Sequence, residues 1–184
     1  MDTCEPLWTI DNAHKNEVSA IYLSPNLKFI CTGGGEGDVR VWEIKSREMI
    51  SHLKEHKSRI TKLELFSDGM HLLSASRDSA MLVWDLKEEK RVSSHVQRMG
   101  GINGLGLGIA GDENKVISVG QEKKITEWDL RILDPVRVIN AAPTAAEVDE
   151  LYGVSISKTG KFFATGGVQG IVRAWDYESM KCVG

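Results

Sequence analysis

The chain has 184 residues, enough to bury the core of one domain. A formal net charge of −3 with 27% charged residues describes an ordinary soluble surface, without the basic bias that favours a nucleic-acid partner. Cys4, Cys31 and Cys182 lie far apart with no Cys-x-x-Cys pair, Met1 to Ile10 lacks the basic start and apolar run of a secretory signal, and no apolar stretch approaches the roughly 18 residues of a membrane span, so the expectation is a soluble intracellular chain without disulfides.

Leu7-Trp8-Thr9-Ile10 reads as a short strand ahead of the first full unit. That unit begins with a strand at Val18–Leu23, closed by the turn trio Ser24-Pro25-Asn26. Lys28–Thr32 returns, Gly33–Gly37 turns again, Val39–Ile44 alternates as a third strand, and the more polar Glu48–Leu53 is a fourth. The second unit repeats the pattern with Ile60–Phe66, the turn Ser67-Asp68-Gly69, Met70–Ser74, Met81–Leu86 and Arg91–Val96. The third uses Ile102–Ile109, the turn 111–114, Val116–Val119, Lys124–Leu130 and Val136–Ile139. The fourth uses Tyr152–Ser157, the turn 158–160, Phe162–Thr165 and Ile171–Asp176, and ends on a cut-off strand from Met180.

Within each unit the third strand carries a tryptophan followed by an acid. Trp42, Trp84, Trp128 and Trp175 are 42, 44 and 47 residues apart, and Thr32, Ser74, Ser118 and Thr165 each stand ten residues before them. Four short strands per period in the forties, with a Trp-Asp signature, mark the blades of a β-propeller. The expected fold is all-β, with blades at 14–53, 56–96, 100–140 and 147–184, and residues 1–13 as the outermost strand of a preceding blade. Propellers run from four to eight blades, and seven at this period need on the order of 300 residues. A free four-blade arc exposes strand edges at both ends, so the expectation is part of a larger propeller, its missing blades supplied by more chain or by another chain.

These residues resemble the WD-repeat family. The resemblance implies a buried hydrogen-bond network in each blade. It links a His before the innermost strand, a Ser or Thr on the second, an Asp in the following turn and the Trp of the third. The second unit matches it whole with His56, Ser74, Asp78 and Trp84. The chemistry fits, because an indole N–H only donates, a hydroxyl accepts and passes on, and an imidazole bridges hydroxyl to carboxylate. The first unit keeps His14, Thr32 and Trp42, with Glu36 in place of the Asp. The third has Ser118, Glu122 and Trp128 but Gly100 at the His position, and the fourth has Thr165 and Trp175 with Gln169 at the acid position and no upstream His. More narrowly, 33–44, Lys54-Glu-His-Lys57 and 123–128 resemble repeats of cilia- and flagella-associated WD-repeat proteins. That resemblance implies a place in axonemal doublet microtubules, with tubulin and neighbouring lumenal proteins as partners.

Catalytic motifs conflict with this strand pattern. His52-Leu-Lys-Glu55-His56 matches a zinc-peptidase spacing, but two His four apart share a face only on a helix, and this stretch belongs to an outermost strand and its loop. Gly106-Leu-Gly108-Ile-Ala-Gly111 has the G-x-G-x-x-G spacing without the following helix of a dinucleotide site. Gly33–Gly37 lacks the Lys-Ser/Thr of a phosphate loop, and Gly-x-Ser-x-Gly is absent. The expectation is a non-catalytic protein-interaction scaffold without cofactor, nucleic acid or membrane, in the cytoplasm, the cytoskeleton or the cilium. The alternative is an adaptor subunit of a cytosolic or nuclear complex such as a ubiquitin ligase. In this family, partners often dock on the face that carries the loops between blades and between second and third strands. The residues offered there are Lys54, Lys57 and Arg59, a small basic cluster suited to an acidic partner such as tubulin, with Arg77, Gln121, and Glu147 and Asp149 of the long loop 141–150.

Overall fold

The computed structural model describes residues 6, 8–98, 100–141 and 149–183. They form four four-stranded antiparallel sheets, each with its strands in chain order. The first contains β1 Val18–Leu23, β2 Phe29–Gly34, β3 Asp38–Glu43 and β4 Met49–Lys54. The second contains β5 Ile60–Leu65, β6 His71–Ser76, β7 Ala80–Asp85 and β8 Lys90–Val96. The third contains β9 Ile102–Leu107, β10 Lys115–Gly120, β11 Lys124–Asp129 and β12 Arg137–Asn140. The fourth contains β13 Leu151–Ile156, β14 Phe162–Gly167, β15 Val172–Asp176 and β16 Lys181–Cys182. The first strand of each sheet lies beside the first strand of the next, β1 by β5, β5 by β9 and β9 by β13, so the sheets fan out from one inner line as propeller blades do.

The core is three apolar layers, one between each pair of neighbouring sheets. Cys31, Val39 and Val41 meet Ile60, Leu63 and Trp84 in the first. Leu73, Ala75 and Val83 meet Ile102, Leu105 and Trp128 in the second, and Ile117, Val119 and Ile125 meet Leu151, Phe163 and Trp175 in the third. Close approach needs small residues at one point. A Cβ on Gly33 would sit 2.4 Å from Ile60 Cγ2 of the next sheet, so glycine there lets β2 extend past Thr32 and pair Gly33 and Gly34 with Ala20 and Val18.

Trp8–Ile10 have no ladder partner in the four sheets; Leu7 and Met1–Glu5 fall outside the described residues. One segment departs from the sequence reading. The first strand of the third sheet stops at Leu107 instead of running to Ile109. Gly108 at φ 83° and Ala110 at φ 55° take left-handed conformations that end an extended run. Ile109–Gly111 becomes a 3₁₀ turn, buries Ile109 and donates Ala110 N–H to Gly160 O of the fourth sheet at 3.1 Å.

Each inner strand also carries a bulge at its second residue: Ser19, Thr61, Asn103 and Tyr152 are skipped in the pairing register. Three of these side chains reach the next sheet. Ser19 Oγ donates to Ile60 O at 2.6 Å, Thr61 Oγ1 to Ile102 O at 2.9 Å and Asn103 Nδ2 to Leu151 O at 2.8 Å. One polar staple therefore joins each pair of neighbours at the same height.

Candidate functional site

Every blade hides its tryptophan N–H on a hydroxyl one strand away. The indoles of Trp42, Trp84, Trp128 and Trp175 donate to Thr32, Ser74, Ser118 and Thr165 at 2.9, 2.8, 2.8 and 2.9 Å. In the second blade the relay continues: Ser74 Oγ lies 2.8 Å from His56 Nε2, and His56 Nδ1 lies 2.9 Å from Asp78 Oδ2. With the ring proton on Nδ1, every donor meets an acceptor, from indole through hydroxyl and imidazole to carboxylate. Asp78 also accepts Lys57 N–H at 2.7 Å and Ala80 N–H at 3.0 Å. Burial alone would raise its carboxyl, but the bonds from His56, Lys57 and Ala80 outweigh burial and hold it at about 2.

The first blade closes the same circuit with a longer acid. Glu36 Oε1 sits 2.8 Å from His14 Nδ1, while His14 Nε2 sits 2.8 Å from Thr32 Oγ1. Burial is again outweighed, by Glu36's own backbone N–H, His14 and the amides of Lys15 and Asn16, and the carboxyl is held at about 2. In the third blade Gln97 takes the place left by Gly100, with its Oε1 3.5 Å from Ser118 Oγ. In the fourth, Thr165 and Trp175 form a pair with no third member among the described residues, which do not include 142–148.

The two catalytic spacings resolve into this framework. His52 is on β4 and bonds Asp38 Oδ2 at 2.7 Å, whereas His56 lies past the strand end and bonds Ser74 and Asp78, so the pair is divided between two carboxylates. Gly106 belongs to β9, Gly108 precedes the 3₁₀ turn Ile109–Gly111 as its N-cap, and the next element is strand β10.

The relay also shapes the rim of the inner line. Asp78 stands in the β6–β7 turn and holds the 55–59 loop by its Lys57 bond; Ser76 Oγ donates to Ser58 O at 2.9 Å and Arg77 N–H to Arg59 O at 3.0 Å. Arg59 and Arg77 are thereby brought together, and with Ser19, Thr61, Asn103 and Tyr152 they line a cavity of about 200 Å³ at the inner edge of the sheets. Gly101 belongs to this packing: a Cβ there would lie 2.8 Å from Arg77 Cα. Arg59 Nη1 faces Glu17 at 3.5 Å, and Arg77 Nη2 faces Glu150 at 3.9 Å.

The remaining residues offered by sequence are dispersed. Lys54 ends the outermost strand of the first sheet, opposite Asp38, far from the inner edge in the strand order. Lys57 is exposed, with its backbone held by Asp78. Gln121 Oε1 accepts Gly101 N–H at 2.8 Å, and Asp149 Oδ1 accepts Glu150 N–H at 2.7 Å. Glu147 lies outside the described residues. Sequence reasoning missed Ser19, Thr61, Asn103 and Tyr152 at the cavity, although the first three recur every 42 residues at the second position of the inner strands.

Comparison with known proteins agrees with this architecture. Residues 3–68 match the anaphase-promoting complex subunit 4 WD40 domain, and residues 135–176 match the WD domain, G-beta repeat. Cilia- and flagella-associated protein 52 of Mus musculus is 30% identical over 175 residues, covering 93% of this chain and 27% of the relative. The Homo sapiens protein of that name is 29% identical and the Chlamydomonas reinhardtii one 28%, each over 96% of this chain and 28% of its own length. The chain thus spans just over a quarter of the length of these curated relatives. Four four-stranded sheets, an indole–hydroxyl pair in each and homology running through all of them identify the chain as an array of WD-repeat β-propeller blades related to the cilia- and flagella-associated WD-repeat proteins.

Proposed function

We propose that the chain is a non-catalytic interaction scaffold of ciliary or flagellar axonemes, seated in the doublet microtubules against tubulin and neighbouring proteins. The observation that carries this reading is the extent of the similarity: it covers 93–96% of the chain, through every blade, in proteins named for cilia and flagella from mammals to a green alga. The physical reading of the site supports it. The buried histidines, hydroxyls and acids form closed hydrogen-bond circuits that fix loops, and what they leave outward is a polar rim suited to recognition. The blade division 14–53, 56–96, 100–140 and 147–184, with 1–13 completing a preceding blade, belongs to the same proposal, as does completion of the ring by further blades. Val18, at 48% exposure, holds the position at which Ile60 and Ile102 are fully buried between sheets, which favours another blade on that side.

The second reading, an adaptor subunit of a cytosolic or nuclear complex, draws on the match of residues 3–68 to a WD40 domain of the anaphase-promoting complex. Fractionation separates the two. The tagged full-length protein, expressed in ciliated cells, is expected to stay with axonemes through high-salt extraction. Quantitative release into the soluble fraction contradicts the axonemal assignment and favours the adaptor.

A further inference from the structure

The seams between neighbouring blades are built from equivalent positions, and the three fill them differently. By strand register and distance from the blade tryptophan, His71, Val83 and Ser93 of the second blade and Leu130 of the third stand where the next seam has Lys115, Glu127, Arg137 and Tyr177. In that next seam an arginine occupies the space. Arg137 Nε bonds buried Glu127, its guanidinium carbon lies 4.9 Å from the centre of the Tyr177 ring, and Nη1 donates to Glu178 O at 3.2 Å. In the first seam Val41 and Ser51 hold the same places, but Phe29 packs at the position of His71, and Ser51 is only 5% exposed. Between the second and third blades neither filling is present, and a groove of about 370 Å³ opens there. It lies at the end of the sheets that carries the β5–β6 turn, opposite the β6–β7 turn of the rim.

Phe66, Val83, Val92 and Leu130 give the groove apolar walls, the carboxylates of Asp68 and Glu113 line it with them, and no lysine or arginine does. Both acids are fixed on the β5–β6 turn. Asp68 Oδ1 accepts the N–H of Met70 at 2.8 Å and of His71 at 3.0 Å, and its Oδ2 lies 2.6 Å from His71 Nδ1. Glu113 Oε2 accepts Ser67 Oγ at 2.8 Å. The Asp68 side chain is still 45% exposed. Arg131, next to Leu130, is held elsewhere, by Asp129 and Asp112 at 2.6–2.9 Å. We propose that the groove receives an arginine side chain of a partner polypeptide, its stem along Val83 and Leu130 and its guanidinium at Asp68 and Glu113. The assignment rests on the interaction-scaffold reading above and adds a contact at the end of the sheets away from the rim. A long basic side chain suits apolar walls with acids beside them, because its stem covers apolar surface while its head stays with charge and water. Arginine is favoured over lysine because a planar guanidinium also stacks on aromatic faces. Arg137 does so on Tyr177, and the Phe66–His71 pair, with ring centres 6.2 Å apart, offers such a face here. The groove is near the low end of the roughly 300–1,000 Å³ of small-molecule sites. Its β8 side is open, with Val92 55% exposed, which favours a side chain from a passing polypeptide over an enclosed ligand.

The test titrates the nitrogen-15-labelled 184-residue chain with acetyl-Gly-Arg-Gly-amide and its Lys and Gln counterparts, followed by amide shifts in NMR. The Arg peptide is expected to bind at least about fivefold more tightly than the Gln peptide, a difference near 1 kcal/mol, and more tightly than the Lys peptide. Its largest shifts are expected at Ser93, Glu113, Asn114 and Leu130, which line the groove. Ser93→Arg supplies from β8 the side chain that Arg137 supplies in the next seam, and it is expected to weaken the Arg peptide at least about tenfold without lowering the melting temperature. D68N/E113Q tests the same site without adding volume. It keeps the oxygens that accept from the β5–β6 turn and is expected to lose the preference for Arg over Gln. E43Q/E48Q, the same change of charge at the β3–β4 turn, is expected to keep it. Equal binding of the Arg and Gln peptides, a Lys peptide bound as tightly as Arg, shifts centred away from the groove, or a preference that survives D68N/E113Q overturns the assignment. Axonemal retention of the full-length protein is scored separately. Retention without peptide discrimination removes the arginine assignment alone, and release of the wild type removes the scaffold reading alone.

Discussion

Ser74→Ala against Thr165→Val measures what the complete relay adds to a blade. Ser74 is fully buried, and its Oγ accepts the Trp84 N–H and touches His56 Nε2, each at 2.8 Å. Alanine leaves two buried polar groups without partners, at about 1–3 kcal/mol each, so the loss is about 2–6 kcal/mol. Thr165 is almost as buried and meets, among the described residues, Trp175 Nε1 at 2.9 Å, and valine keeps its shape, so that loss is about 1–3 kcal/mol. The assay is urea unfolding read by far-UV circular dichroism. Amide hydrogen exchange resolved by sheet accompanies it, because stacked repeats couple mainly to their neighbours. A cycle with Trp84→Phe isolates the pair and is expected to give a coupling of about 1–2 kcal/mol. Equal losses at the two sites, or a neutral Ser74→Ala, would refute the relay as an energetic unit.

The pH dependence follows from the acids. Asp78 and Glu36 are both held at about 2, below their usual values of 3.8 and 4.5, so the stabilisation they supply is full above about pH 5 and is lost as pH falls toward 2. For Asp78, only 12% exposed, the shift corresponds to about 2 kcal/mol, and urea midpoints between pH 6 and about 2.5 should fall less steeply in Asp78→Asn than in the wild type. Gly33→Ala drives a Cβ to 2.4 Å from Ile60 and is expected to cost about 1–3 kcal/mol. Gly166→Ala, at the equivalent place of the fourth sheet with no atom of the described residues closer than 3.8 Å, stays within about 0.5 kcal/mol in this chain. Thr61→Val removes the staple to Ile102 O and is expected to cost about 1 kcal/mol and speed amide exchange in β9 more than in β1.

Much of the fold was legible because it repeats. A tryptophan with a hydroxyl ten residues earlier fixes two adjacent strands, and four recurrences fix four sheets. Glu36 shows where residue-type matching stops: an extra methylene lets it reach His14 Nδ1 as Asp78 reaches His56, a matter of side-chain length against loop position. Gln97 was invisible for a related reason, since it enters the third blade three residues before the expected His position, from the end of β8. The rim cavity was only half readable. Arg59 and Arg77 were named from separate loops, but their meeting with Asn103 depends on inner-strand bulges, and the phase shift these leave, as from Ile60 to Leu63 and Leu65, does not say which side chains the extra residue brings together. Long-range pairs such as Tyr177 OH of the fourth blade donating to buried Glu127 of the third, which its strand neighbour Arg137 also bonds, depend on blade-to-blade geometry that no local window contains.

The most direct measurement is hydrogen exchange of the five indole N–H groups, resolved by nitrogen-15 NMR. Trp42, Trp84, Trp128 and Trp175 are expected to exchange slowly, each N–H being buried on its hydroxyl, while Trp8, outside every sheet, exchanges fastest. Uniform exchange across all five, or protection of Trp8 beyond the other four, would contradict blades anchored by their tryptophans.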